Sequence, residues 1–178
     1  MELLIAQIDS PLGDMLLVTD AQNVIRALDF ADHRAHLRRA LRDHYGDPRL
    51  TDAEAPAEIV DATHRYFAGD FTALGGLRTA IAGTELQRKV WAELRRIPPG
   101  TTTTYGKLAK QLGFDDPRAA IDIGAANAAN PIAIVVPCHR VIASDGTLKG
   151  YAWGLKRKRW LLEHEKAIAP QAAENLFS

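Results

Sequence analysis

A single cysteine in 178 residues excludes an internal disulfide and any zinc site built on thiolates. Apolar runs are short and none approaches the ~18 residues of a membrane-spanning helix. The first residues lack a basic segment followed by an apolar block, so no secretory leader is expected. A Gly-rich phosphate loop is missing, as is any cluster of ligand-type side chains, so no nucleotide, flavin or metal is expected. His33, His36, His44 and His64 share no spacing with other ligand types and read as surface or packing residues. Net charge is absent too, with 22 Lys/Arg against 22 Asp/Glu. That zero hides a division. Residues 1–83 carry eight basic against thirteen acidic side chains, a net −5, and residues 84–168 carry fourteen against eight, a net +6; Glu174 restores the balance. A basic C-terminal half suggests contact with a polyanion. A free thiol in a chain without disulfides fits a reducing cytoplasm.

The one cysteine sits in Pro137-Cys138-His139-Arg140-Val141-Ile142, after the apolar run Ile132-Ala133-Ile134-Val135-Val136 and before the polar turn Ser144-Asp145-Gly146-Thr147. A β-branched run of this length predicts a buried strand, ended by Pro137 because proline cannot continue a ladder. The thiol is then expected at the lip of that strand. A lone cysteine is more often a small buried hydrophobe than a nucleophile. His139 beside it, the positive charge of Arg140 and the rigid corner Asn130-Pro131 shift the balance toward reactivity.

The rest of the chain predicts an α/β (α+β) fold. Residues 2–8, 14–20 and 23–30 read as three strands of a small N-terminal sheet, joined by Pro11-Leu12-Gly13-Asp14 and Ala21-Gln22-Asn23. Residues 33–45, with Leu37, Leu41 and Tyr45 on one face, form an amphipathic helix, and a second covers 57–68. Residues 1–80 are thus expected to be a scaffold without chemistry of its own. The C-terminal part, 84–168, reads as mainly helical. Thr84 and Gln87 form a capping box; Thr104 caps a helix over 105–112 that Gly113 ends; Asp116 caps a third, with Pro117 at its first position, running to about 129. The pair outlines a helix-turn-helix followed by the short strand carrying Cys138. The third helix is rich in small residues, which permits close backbone approach to a partner. A final helix over 154–167 turns Leu155, Leu161 and Leu162 inward, with Lys156, Arg157, Lys158 and Arg159 at its start facing solvent or phosphates. Residues 169–178 are expected to be a flexible tail.

Pro-Cys-His-Arg-Val resembles the active-site signature of the O6-alkylguanine-DNA alkyltransferases. Further similarity runs through Asn130-Pro131 to Val141, Gly146-Thr147 to Tyr151, Gly154, Trp160-Leu161-Leu162 with His164-Glu165, and Gln87, Val90-Trp91, Ile97-Pro98, Gly100 and Tyr105-Gly106. The resemblance implies repair of double-stranded DNA containing O6-alkylguanine, and of O4-methylthymine; a monomer is the default expectation, with no cofactor and no membrane. The damaged base must be swung out of the duplex to expose O6. Cys138 is then the nucleophile, His139 the proton acceptor, and Glu165 the carboxylate that orients the imidazole. Asn130 fixes the turn, and Tyr105 donates a hydrogen bond to the departing guanine. Tyr151, Val141, Ala152, Trp153 and Lys149 form the wall of the base pocket. Arg118, Ala120, Ile121, Gly124, Ala125 and Asn127 lie on the face of the helix that meets DNA. A thioether offers no carbonyl for water to attack, so an alkylated Cys138 stays alkylated and the protein acts once.

This chain departs from the family pattern at Ile121-Asp122-Ile123. The family places Arg-Ala-Val there, and its arginine fills the gap left by the extruded base. Isoleucine can serve as an apolar wedge but cannot hydrogen-bond the orphaned partner base, and Asp122 sets a negative charge near the phosphates. Weaker duplex binding and slower repair are expected. Lys149 stands where the family has a small or hydroxyl residue. Two other functions fit a Cys-His-Glu set beside a helix pair: a protein that binds alkylated lesions without transfer, and a cysteine hydrolase of a small substrate.

Overall fold

The computed structural model describes residues 1–170, so most of the expected 169–178 tail lies outside the described residues. Three strands form near the predicted positions: β1 (Glu2–Ile8), β2 (Met15–Thr19) and β3 (Ile25–Phe30). They make an antiparallel meander. Strand β2 is buried along its whole length because both faces of the sheet are covered. Leu16 and Val18 pack with Leu3, Ala27 and the Leu37 and Leu41 side chains of α1 (Arg34–Tyr45). Met15 and Leu17 point the other way, into the main core with Ile8, Ile25, Leu28 and Phe30. Period-two side-chain alternation thus splits one strand between two clusters. A fourth strand, β4 (Arg49–Asp52), pairs parallel with the β1 edge, giving the order β3-β2-β1-β4 where three strands were expected. Its residues Arg-Leu-Thr-Asp are all exposed, so no apolar pattern announced it.

The far edge of β3 is closed by two later segments, one before and one within the C-terminal part. Leu28 donates to Pro131 O (2.9 Å) and accepts from Ala133 N (2.8 Å), and Ile25 makes the same pair of bonds with Arg78 O and Ala80 N (both 3.0 Å). Covering the edge removes a site for unwanted pairing. It also joins the halves: one apolar cluster runs from Ile8 through Tyr66 of α2 (Ala57–Phe67) to Leu161 of α6 (Leu155–His164).

The run Ile132–Val136 is buried as expected, but it is not a strand. Val135 N bonds Ala133 O (2.7 Å) across Ile134, whose φ is +68°, and Cys138 N bonds Val136 O (2.8 Å) across Pro137 at φ −84°, ψ +63°. These are two γ-turns, the first in the left-handed region that β-branched residues avoid. Cys138 opens a single tight helical turn, Cys138–Arg140, that leads into β6 (Val141–Ile142), which pairs with β5 (Thr103–Thr104). A periodicity argument sees a buried apolar run and cannot tell a strand from a coiled-up loop.

Local signals hold well in the helices. In α3 (Glu85–Leu94) the Thr84–Gln87 capping box is complete in both directions at 3.1 Å. Thr104 Oγ1 accepts from Lys107 N at the start of α4 (Tyr105–Gln111). Helix α5 (Ala119–Ala128) begins later than expected: Asp116 accepts from Arg118 N and Arg118, not Asp116, occupies the cap. Helix α6 ends at His164. Its Leu155 is exposed, whereas Lys158 of the supposed solvent stripe is fully buried.

Candidate active site

Asn130 builds the loop that presents the thiol. Its Oδ1 accepts from Ile132 N (2.9 Å), and its Nδ2 donates to Val136 O (2.8 Å) and to Cys138 Sγ (3.3 Å). One buried amide therefore closes the γ-turn segment and supplies a hydrogen bond to the sulfur. Strain concentrated at Ile134 is tolerated because these bonds over-determine the backbone.

Cys138 lines a cavity of about 220 Å3 with Tyr105, Gly124, Asn127, Ala128, Gly150, Tyr151 and Ala152. The cavity lies against α5, so the sulfur is reachable beside that helix. Burial pushes the Cys138 thiol up to about 11, against a counter-effect from the Asn130 bond and the Lys158 charge. The resting nucleophile is a protonated thiol. Arg140, expected to favour the thiolate, is instead engaged by Glu165 and by Ile97 O (2.7 Å).

A buried relay starts at the next residue in the chain. His139 Nε2 faces Glu165 Oε2 at 2.8 Å, and Arg140 donates to both Glu165 oxygens at 2.8 and 2.9 Å. Tyr66 of α2 also donates to Glu165 Oε2, so the N-terminal half, read from sequence as having no chemistry of its own, reaches this network. Burial alone raises the Glu165 carboxyl; the His139 and Arg140 bonds outweigh it and hold the group well below the usual carboxylate range. An ionised carboxylate only accepts, which puts the imidazole proton on Nε2. Burial, partly offset by Glu165, lowers His139 and keeps it neutral. Its Nδ1 then carries a free lone pair, buried and without a hydrogen-bond partner among the described residues. That nitrogen is the general base this geometry offers to the adjacent thiol, directly or through a water.

The cavity wall is fastened from outside. Lys158 Nζ donates to Val141 O (2.7 Å), Gly150 O (3.0 Å) and Lys149 O (3.2 Å), using all three ammonium hydrogens. Burial brings it down to about 8. Tyr105 hydroxyl donates to Lys149 O (3.1 Å), so Lys149 takes part through its backbone. Of the residues predicted for the base pocket, Tyr151 and Ala152 line the cavity, while Val141, Lys149 and Trp153 do not. Trp153 lies one layer behind, its ring edge-on to Tyr151 at 5.1 Å and its Nε1 donating to Asp29 (2.7 Å). It was misassigned because a neighbour in sequence alternates out of the wall.

The residues predicted to meet DNA divide. Gly124 and Asn127 line the thiol cavity, and both polar atoms of the Asn127 amide are buried. Ala125 lies in a separate cleft toward α1. Ile121 is 72% exposed, Ala120 is half-buried, and exposed Arg118 folds back on Asp116 at 3.1 Å. Sequence reasoning passed over Tyr66 and gave Lys158 to the surface. No local signal marks either, since each acts on partners distant in the chain.

A chemical consequence follows for the sulfur. Iodoacetamide alkylation of Cys138 in the folded protein is expected to be slow at neutral pH and to quicken about tenfold per pH unit up to about 11. In urea the same rise levels off near the free thiol's value of about 8.5. Equal profiles in the two states contradict a protonated, buried thiol.

A model of the 6-O-methylguanine DNA methyltransferase DNA-binding domain matches residues 85–167. The methylated-DNA–protein-cysteine methyltransferase of Salmonella typhimurium is 47% identical over 168 residues, spanning 93% of this chain and 96% of its own length. That of Mycobacterium tuberculosis is 42% identical over 168 residues, spanning 92% of each. The solved structure of Mycobacterium tuberculosis OGT in complex with DNA is 37% identical, covers 98% of this chain and 99% of its own, and superposes with a TM-score of 0.75. With a buried thiol next in the chain to a buried imidazole–carboxylate pair and relatives this similar over nearly full length, the chain belongs to the methylated-DNA–protein-cysteine methyltransferase family.

Proposed function

We propose that the protein repairs alkylated duplex DNA by moving the alkyl group from O6 of guanine onto Cys138 Sγ, once per molecule. The observation that carries this reading is a lone thiol in a cavity beside α5 with a buried His139–Glu165 pair at the next residue. The extruded base enters along Gly124, Asn127 and Tyr151. The Cys138 proton passes to His139 Nδ1 as the S–C bond forms and the C–O6 bond breaks. Tyr105, on the cavity wall, turns its hydroxyl from Lys149 O to the guanine and stabilises the charge that develops there. The thioether product has no route back to a thiol. O4-methylthymine, also alkylated on an exocyclic oxygen, is a second substrate. The protein works as a cytoplasmic monomer, with residues 84–168 holding the DNA and residues 1–80 bracing the relay.

Intact-mass measurement after incubation with duplex O6-methylguanine DNA tests this. One added methylene on Cys138, absent in Cys138→Ala, is expected. Binding without an adduct marks a lesion-binding protein, and neither adduct nor binding marks a hydrolase of another substrate; both outcomes overturn the proposal.

Exposed Ile121 takes the place of the family's arginine as an apolar wedge, and Asp122 repels phosphates. Ile121→Arg with Asp122→Ala brings two units of positive charge to the interface. The transfer rate on duplex DNA under subsaturating conditions is expected to rise on the order of tenfold, with a steeper salt dependence. An unchanged rate contradicts this explanation of the departure.

A further inference from the structure

His36 on α1 lies far in sequence from the thiol, yet it touches the end of the helix that leads to it. Its Nδ1 is 2.7 Å from Asp29 Oδ2 on β3, and its Nε2 is 3.1 Å from Ala128 O at the last turn of α5. A carboxylate and a backbone carbonyl are both acceptors. A neutral imidazole carries one N–H and serves one of them; only the imidazolium serves both. Asp29 is fully buried, and its other oxygen already accepts from Phe30 N (2.8 Å) and Trp153 Nε1 (2.7 Å).

We propose that His36 is a positioning residue: as an imidazolium shared by Asp29 and Ala128 O, it ties the end of α5 to the N-terminal sheet, and it releases that end when it loses its proton. The proposal rests on the alkyl-transfer reading for its consequence, because both arms of the cluster reach the reaction site. One arm runs from Ala128 into Ala129 and Asn130, whose amides bond Ala125 O (3.0 Å) and Asn127 O (3.2 Å), and Asn130 in turn donates to Cys138 Sγ. The other runs from Asp29 through Trp153 to the Tyr151 ring of the cavity wall.

The groups facing His36 are few. Asp29 comes from β3, Arg39 from α1 opposes the charge, and the Trp153 ring stands edge-on at 5.1 Å. Asp43 and His44 of α1 line the same cleft, to which α3 adds neutral Gln87 and α5 adds Ala125 and Ala128. Burial lowers His36, but the Asp29 and Ala128 bonds outweigh it and hold the imidazole above its ordinary value. The sign is therefore definite. The tie is complete below about 6.5, the unperturbed histidine value, and is lost as pH rises through the higher folded value.

Hydrogen exchange of the Ala129 and Asn130 amides, corrected for intrinsic base catalysis, reads the tie without any alkyl transfer. A failed tie and a failed repair reading are thus distinguishable. In the wild-type protein these amides are expected to lose protection about tenfold, the factor for one charge-assisted hydrogen bond, across the same pH range in which the His36 15N shifts titrate. His36→Gln, checked for folding by circular dichroism, removes the step, and His44→Gln leaves it in place. If repair proceeds as proposed, the transfer rate carries the same step in wild type and lacks it in His36→Gln. A flat wild-type exchange profile, 15N shifts showing one protonated nitrogen below pH 6.5, or a step that survives His36→Gln overturns the proposal.

Discussion

Replacing Glu165 by Gln is expected to lower stability by about 3–5 kcal/mol, because it leaves the Arg140 guanidinium buried without its counter-charge. For a domain of this size that corresponds to a melting temperature roughly 10 °C lower. Arg140 is 6% exposed and keeps Ile97 O as its other hydrogen-bond partner, so neither solvent nor the remaining bond compensates. The same substitution frees the His139 tautomer. An amide can donate to Nε2 as readily as accept from it, and the proton then moves to Nδ1, the nitrogen that must take the thiol proton. The single-turnover transfer rate, measured well below the new melting point, is expected to fall roughly 10²- to 10⁴-fold, the range for loss of general acid–base help. The pH dependence has a definite sign. Glu165 titrates below the usual range in the folded protein, so its contribution is complete above about 4.3, the unfolded value, and fades as pH falls through the folded one. Glu165→Gln flattens that acid limb. Wild-type stability with wild-type transfer in this variant removes the relay from the account.

Lys158→Met carries the second large effect. Methionine matches the length of the stem but donates nothing, and Val141, Lys149 and Gly150 carbonyls lose their shared donor. A buried acceptor left unsatisfied costs about 1–3 kcal/mol, while removing a buried ammonium returns part of that; the net loss is about 2 kcal/mol. The larger consequence is geometric. Lys149 O also receives the Tyr105 hydroxyl, and Gly150 and Tyr151 line the cavity. A wall displaced by about 1 Å slows a positioned displacement on the order of a hundredfold. Single-turnover rates on duplex DNA and thermal melting together check this. A variant that melts lower but transfers at the wild-type rate shows the clamp to be structural alone.

How much of this was legible in the chain depends on the range of the interaction. Short-range devices were readable. Thr84 with Gln87 and Thr104 before Tyr105 each act within a few residues, and each appears where it was expected. The Cys-His-Glu set was readable through its resemblance, not through spacing, since Glu165 lies 26 residues from His139. What failed were inferences that needed the third dimension. The Ile132–Val136 run satisfies any strand template, and only the Asn130 amide and the covered β3 edge turn it into γ-turns. Lys158 reads as one basic residue in a row of four, yet three carbonyls from another segment draw it inward. Tyr66 has no motif at all; α2 brings it to Glu165 by packing. Arg140 was assigned to the thiol by adjacency, but its guanidinium is taken up by Glu165 and Ile97 O.

The most direct test counts methyl groups. Duplex DNA containing O6-methylguanine is supplied in large excess over protein, and repaired guanine is followed to completion. The account predicts a plateau at one guanine per protein molecule, with every Cys138 carrying the alkyl group. Repair that continues past one equivalent, with Cys138 regenerated as the thiol, contradicts it.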